Sequence, residues 1–378
     1  MAAGLPTRCS STSQGFDYAT GSYDEWHERA PTIPAISSET SSAVGDRGEY
    51  VNDPASAHVT GYDTEAPSWG QTAEVAWAAI LEKPWMSGGF TWTGWDYKGE
   101  PTPYGWPNIN SHFGIMDVAG FWKDRTYWYS AYYKPEVAQA HVFPHWSWAA
   151  GAHDSTPAPH RAPCEGLCHA ALKSAPSASA ADASVDMWVY TNGAEAELLV
   201  NNASLGRKRV ANHSHAQWKA VPYAPGRVEA RVYRSVGDAT PMATDAVETV
   251  GAPHALTISA SPVNLAAAAA LPANGVDVAF YHVAVVDAAG RVVPNANHTV
   301  TFSVQGPGGV VGTGNGDPSS HVPDHAPSRP AYHGLVLGII SADDTGKPTT
   351  LTVSASADGL ASATATLEVM AGERLLRL

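Results

Sequence analysis

The sequence predicts a multidomain chain of mixed class, an α/β unit followed by two all-β domains. Three observations carry that prediction. Residues 1 to about 137 show strand–helix–strand order with connections long enough for parallel strands, which need a crossover of a dozen or more residues. From about residue 138 the texture changes to short runs of alternating apolar and polar residues separated by turn signals. The length, 378 residues, exceeds what a single hydrophobic core organises.

In the first region, Pro34-Ala-Ile-Ser-Ser-Glu39 is a short strand that ends on a carboxylate. The stretch from Trp69 to Glu82 is rich in helix formers and puts Val75, Ala76, Ala79 and Ile80 on one face; Pro84 ends it. Trp85 to Trp92 follows as a second strand, and Phe121 to Tyr133 reads as a helix after a long loop. In the second region, Val185–Tyr190 and Ala196–Val200 are strands joined by an Asn192-Gly193 turn signal, and Arg227–Tyr233 alternates with period two. Residues 150–182, rich in His, Ala, Pro and Ser, read as an inserted loop. From Gly251 onward, Ala255–Ser259, Val278–Val286, Val300–Val304 and Leu351–Ser356 recur between turns, with Asp287-Ala-Ala-Gly290 as a hairpin turn. That pattern is expected of a seven-strand sandwich of immunoglobulin type. The expected domains are therefore residues 1–137, 138–250 and 251–378.

Composition excludes several classes. The formal net charge is −14 and the longest basic run is Arg207-Lys208-Arg209, so the positive stripe a nucleic-acid binder uses to displace counterions is missing. No window holds the 18 or so apolar residues of a membrane span, and Met1 to Ser10 lacks the apolar core of a signal peptide. The 13 Trp and 15 Tyr concentrate between Trp69 and Trp148, which suits sugar stacking and ordinary core packing equally. The cysteines are Cys9, Cys164 and Cys168. His160, Cys164, Cys168 and His169 fit no common zinc module, so a small disulfide or two inert thiols is expected and no metal or cofactor is implied.

Glu39 is the carboxylate of greatest interest. It ends a short strand and is followed by Thr-Ser-Ser, small polar residues that suit a crowded site. A retaining glycosidase needs two carboxylates, a nucleophile and an acid–base, about 5–5.5 Å apart. Trp92 ends the next strand, where an indole can stack on a sugar, while Trp95, Asp96, Tyr97 and Glu100 follow in a Gly/Pro-rich loop. Taken singly, a Glu after a strand is usually a solvated charge, and Trp92 and Trp95 are as readily core residues.

The residues from Met86 to Pro107, with Asn110–Asp117 and Phe121-Trp-Lys-Asp124, resemble the last-strand segment of family 2 glycoside hydrolases in the β-galactosidase-like branch. Ser38-Glu-Thr-Ser-Ser42 with Arg47-Gly-Glu-Tyr50 is similar to that branch's nucleophile segment. His141–Trp148, Trp188–Gly193, Glu197–Arg207 and Gly312–Ser320 resemble its later β-domains, so the likeness covers nearly the whole chain. The resemblance implies a partial (β/α)8 TIM barrel, last strands only, followed by two immunoglobulin-like β-sandwiches. Gly15-Phe-Asp-Tyr18, Glu39 and Trp92 would mark the ends of its sixth, seventh and eighth strands. It also implies a retaining exo-glycosidase with Glu39 as nucleophile and Trp92, Trp95 and Asp96 at the sugar.

Two departures matter. No segment matches the family's N-terminal domains or first barrel strands, and no Asn-Glu pair of the kind that carries the acid–base group occurs in the sequence. The three residues before Gly114-Ile115 are Ser111-His112-Phe113, without the Lys by which the glucuronidase branch meets a uronate. The expected substrate is a β-galactoside-like oligosaccharide or polysaccharide, met by the chain as part of a larger enzyme, secreted or periplasmic like many polymer-degrading relatives. The expected partners include neither nucleic acid nor membrane, and the oligomeric state is left open. The alternative is a non-catalytic carbohydrate-binding or scaffolding protein.

Overall fold

A computed structural model of the chain describes residues 13–148, 184–261 and 270–372. The three cysteines, His160, His169 and the whole of the expected inserted loop, residues 150–182, lie outside the described residues.

The first layer is a parallel sheet in the order β1 (Gln14–Asp17), β2 (Ala35–Ser41) and β3 (Met86–Trp92). Helix α1 (Tyr23–Arg29) lies between the first two strands and α2 (Ala73–Leu81) between the second and third. Both helices pack through one cluster, in which Tyr23 and Trp26 of α1 and Ile80 of α2 meet Phe16 and Ala35 of the strands. The buried stripe of α2 is Ala73, Ala76 and Ile80, spaced as one helical face requires, with Ile80 in this cluster and Ala73 in a neighbouring one. Val75, expected on that face, is instead 54 % exposed, because the strands lie under the neighbouring stripe.

Two pairs of facing sheets follow. In the first pair, β4 (Ala140–Phe143), β5 (Ser184–Thr191) and β8 (His215–Pro222) form one sheet in that order. The second sheet runs β10 (Ala243–Glu248), β9 (Arg227–Tyr233), β6 (Glu195–Val200), β7 (Ala203–Arg209). Alternation puts Val228, Ala230 and Val232 of β9 and Met187 and Val189 of β5 into one core with Trp146, Leu198 and Trp218. The opposite face of β5 presents Trp188 and Tyr190 to Trp128 and Tyr129 of α3 (Asp124–Tyr133), which joins this layer to the first. The Asn192-Gly193 signal does not close a hairpin: β5 and β6 lie in different sheets, and the turn carries the chain from one to the other. The Asn192 side chain is committed elsewhere, donating to the carbonyls of Pro135 and Val137 and accepting from the Gln139 amide.

The last pair places β11 (Ala255–Ala260), β13 (Val278–Val286), β17 (Leu335–Ala342) and β15 (Gly308–Gly314) against a second sheet. That sheet runs β12 (Leu271–Pro272), β19 (Ala363–Met370), β18 (Thr349–Ser356), β14 (Thr299–Gln305), β16 (Ser328–Pro330). Among the described residues nine strands stand where seven were expected, the short edges β12 and β16 among them. Residues 287–290 do turn the chain back, with Gly290 N–H donating to the Asp287 carbonyl and Val286 bridging to Val292.

This last layer folds back onto the first. Buried Arg47, eight residues after Glu39, donates from Nε to Asp117 at 2.6 Å and from Nη2 to the carbonyls of Asn315 and Tyr332 at 2.8 and 2.9 Å. Beside it, His58 sits between Glu49 and Asp317, 3.2 Å from each.

Candidate active site

Parallel strands end together, and the ends of β1, β2 and β3 bring three of the singled-out segments side by side. Asp17 is in register with Glu39, and Ser41 with Trp92. Glu39 lies on the central strand and is half-buried; among the described residues no cation pairs with it. Tyr18, the first residue after β1, donates its amide to the Glu39 carbonyl at 3.0 Å. Burial raises the Tyr18 phenol well above its ordinary range, and the adjacent Glu39 carboxylate adds to the rise. The phenol therefore stays protonated and can donate to Glu39.

The backbone at these strand ends is unusual. Tyr18, Ser41 and Ser42 all have positive φ, at 57°, 72° and 55°. Non-glycine residues occupy that region rarely, each at a cost of order 1–3 kcal/mol, and such outliers cluster at functional sites. Thr40 Oγ1 is buried there without a hydrogen-bond partner among the described residues.

Aromatic rings line the same end of the sheet. The Trp92 indole N–H donates to the Tyr97 hydroxyl at 3.2 Å, and the Trp92–Thr93 peptide is cis. Tyr97 stacks on Phe113 with centroids 6.5 Å apart, and Trp69 lies 6.4 Å from the same Phe113 ring. Trp69 reaches this position because Gly70 passes against the end of β2, where a Cβ would sit 2.7 Å from the Ser41 carbonyl oxygen. Trp69 was legible only as the start of a helix, and nothing in its local pattern signals this placement.

The two remaining residues part company after Trp92. Trp95 turns outward and is 50 % exposed. Asp96 turns inward: one carboxylate oxygen accepts the Gly114 amide at 2.8 Å and the other pairs with Lys123 Nζ at 2.6 Å. Burial pushes Asp96 up to about 6 against the pull of Lys123, and burial pushes Lys123 down. Both oxygens of Asp96 are thus occupied within the loop, which gives this residue a positioning geometry.

The cations that follow β2 are committed as well. Lys123 also donates to the carbonyls of Gly45 and His112, and Arg125 donates to those of Ala43, Gly45 and His112. His112 is buried between Asp46 and Asn108, at 2.7 and 2.9 Å. Among the described residues no group of three His, Cys, Asp or Glu is arranged to hold a metal ion, and no helix is long and apolar enough to cross a membrane.

Comparison with known proteins places this geometry in context. A model of the glycoside hydrolase family 2 C-terminal domain 5 matches residues 265–366, and a model of a domain of unknown function, DUF4982, matches residues 182–240. The β-galactosidase BoGH2A of Bacteroides ovatus is 32 % identical over 367 residues, covering 92 % of this chain and 38 % of that protein. A putative β-glucuronidase of Formosa agariphila is 32 % identical over 167 residues, 43 % of this chain and 13 % of its own length. Among solved structures, a β-glycosidase from Bacteroides vulgatus superposes with a TM-score of 0.76 at 23 % identity, covering 96 % of this chain and 46 % of that one. A β-glucuronidase from glycoside hydrolase family 2 gives a TM-score of 0.63 at 20 % identity, covering 93 % and 33 %. The chain thus spans less than half the length of these relatives.

Proposed function

Because this chain belongs to glycoside hydrolase family 2, we propose that it supplies the nucleophile of a retaining β-glycosidase, most directly a β-galactosidase. One observation carries the reading: Glu39 stands at the end of the central parallel strand, unpaired by any described cation, between Tyr18, whose amide bonds the Glu39 carbonyl, and the strand that ends in Trp92. On this reading residues 1–137 are the closing strands of a (β/α)8 barrel. Both helices between the strands pack in one cluster, as expected of a barrel with an outer helical ring. Residues 138–250 and 251–378 are two β-sandwich domains, the second immunoglobulin-like.

In the first step the Glu39 carboxylate attacks the anomeric carbon and forms a glycosyl ester, while the aglycone oxygen departs. In the second, water cleaves the ester and restores Glu39. Tyr18 donates to the carboxylate and holds its orientation, and Trp92 offers its ring to the sugar. Departure of an ordinary aglycone needs a proton from a general acid, assistance worth about 10²–10⁴-fold. No Asn-Glu pair occurs in these 378 residues, so the acid comes from outside them and the chain by itself does not turn over.

The engaged cations favour a neutral sugar. Lys123, Arg125 and Arg47 are all bound to protein groups, which leaves none of them to meet a uronate carboxylate. A trapping reagent tests the assignment. Incubation with 2-deoxy-2-fluoro-β-galactosyl fluoride should add one fluorogalactosyl group to the peptide containing Glu39, read by mass spectrometry. The glucuronyl analogue should add none, and Glu39→Gln should abolish labelling. An adduct on another residue, or labelling that survives Glu39→Gln, would refute the nucleophile assignment.

A further inference from the structure

The loop that begins at Trp92 ends in an indole that the structure holds rigidly and leaves uncovered. Trp106 is 68 % exposed, and its ring stacks on the His321 imidazole with centroids 4.2 Å apart and planes 29° apart. His321 belongs to the last pair of sheets, so the stack joins the outer rim of the candidate site to the C-terminal layer. A lone exposed tryptophan would need no explanation. Here, however, both partners are braced.

On one side, His321 Nε2 lies 2.7 Å from the Pro107 carbonyl. The buried guanidinium of Arg329 fixes the loop around it, with bonds to Ser320 Oγ at 2.8 Å and to the Val322 and Pro323 carbonyls at 3.0 and 3.2 Å. On the other side, Asn108 donates to the Ala57 carbonyl and Ile109 to the Pro318 carbonyl, both at 2.9 Å, while Lys98 pairs with Asp324. Beside the indole, nothing lies within 4 Å of where a Gly105 Cβ would stand. The result is a flat aromatic face, backed by an imidazole, fixed on a braced loop and open to solvent. Preorganisation of this kind lowers the cost of binding, because the indole has little freedom left to lose.

The platform continues the aromatic line of the candidate site. Trp92 bonds Tyr97, and Tyr97 and Tyr104 pack with Trp92 against Val44, Val59 and Phe113; Trp106 stands two residues beyond Tyr104. We infer that Trp106, backed by His321, is a stacking subsite for a pyranose ring of an extended glycan, one that lies beyond the sugar bound at Glu39 and Trp92. This rests on the carbohydrate reading above and adds a preference for oligosaccharides, to which the C-terminal layer contributes through His321.

Calorimetric titration of the whole chain with methyl β-galactoside and with a β-1,4-linked galactotriose tests it. The trisaccharide should bind about tenfold more tightly than the monosaccharide. Trp106→Ala should bring its affinity down to the monosaccharide's, and Trp106→Phe should keep most of it. His321→Ala, which keeps the indole but removes its backing and the contact with the Pro107 carbonyl, should give an intermediate loss even if Trp106→Ala fails to fold. Trp92→Ala should weaken both sugars alike. If the trisaccharide binds no better than the monosaccharide, or if Trp106→Ala and His321→Ala leave it unchanged while Trp92→Ala does not, the platform is refuted and the carbohydrate reading stands. If neither sugar binds the unaltered chain, both fall.

Discussion

Glu39 and Asp96 are carboxylates in adjoining segments with opposite surroundings, and that difference sorts their roles. Glu39 has no cation partner among the described residues, which suits the proposed role of a carboxylate that attacks carbon. Asp96 has one oxygen on a backbone amide and the other on Lys123, with both side chains 3 % exposed. Removing one member of such a pair strands the other charge, which typically costs about 3–5 kcal/mol. Asp96→Ala should therefore lower stability by about that amount in urea denaturation, whereas Glu39→Gln should move it far less. Equal and small effects would show that the Asp96–Lys123 pair is not what fixes the loop. Sequence alone could place Asp96 only in a Gly/Pro-rich loop after a strand. It could not tell which way the side chain turned, because the partner that decides it, Lys123, lies 27 positions on.

At the scale of elements, strands were legible wherever alternation was clean, as in Arg227–Tyr233, whose apolar set faces the core. Legibility failed where tertiary partners chose between equivalent local options. The α2 sequence supports more than one apolar stripe, and only its tertiary partners select Ala73, Ala76 and Ile80 over Val75. Asn192-Gly193 is a fair hairpin signal in isolation, but the side chain of Asn192 binds residues 135–139 and the chain changes sheets. Close packing between the last two sheets gives a sharper test. A Cβ at Gly338 on β17 would lie 2.5 Å from the Phe302 ring of β14. Gly338→Val should then cost about 1–3 kcal/mol by overpacking, and pairing it with Phe302→Leu should recover part of the loss. A Gly338→Val protein with an unshifted melting temperature would contradict the packing.

At the scale of the whole molecule, the C-terminal layer braces the loops that follow Glu39, and no reading of local pattern reaches such contacts: Arg47 and Tyr332 are 285 positions apart. The His58 contact between these layers is titratable. Burial works against every charge in it. Even so, His333 and His58 hold Glu49 well below the usual carboxylate range, His58 lowers Asp317, and Asp317 and Glu49 push His58 up to about 11. The depressed carboxylates contribute stability above their unfolded values near pH 4 and lose it as the pH falls below them. The raised histidine contributes fully below about pH 6.5, and its share is lost as the pH rises through 11. The stability difference between the unaltered chain and His58→Leu should thus be greatest near pH 5–6 and shrink on both sides; a difference independent of pH would contradict the contact. The proposal that Glu39 is a nucleophile whose acid lies outside these residues meets its sharpest test in the release of dinitrophenolate, a leaving group that departs without a proton, from 2,4-dinitrophenyl β-galactoside. A burst of about one equivalent should appear, then stall, and be abolished in Glu39→Gln, because the ester forms without an acid but waits for a general base. Sustained turnover that depends on Glu39 and extends to methyl β-galactoside would show that the acid–base group is already present in the chain.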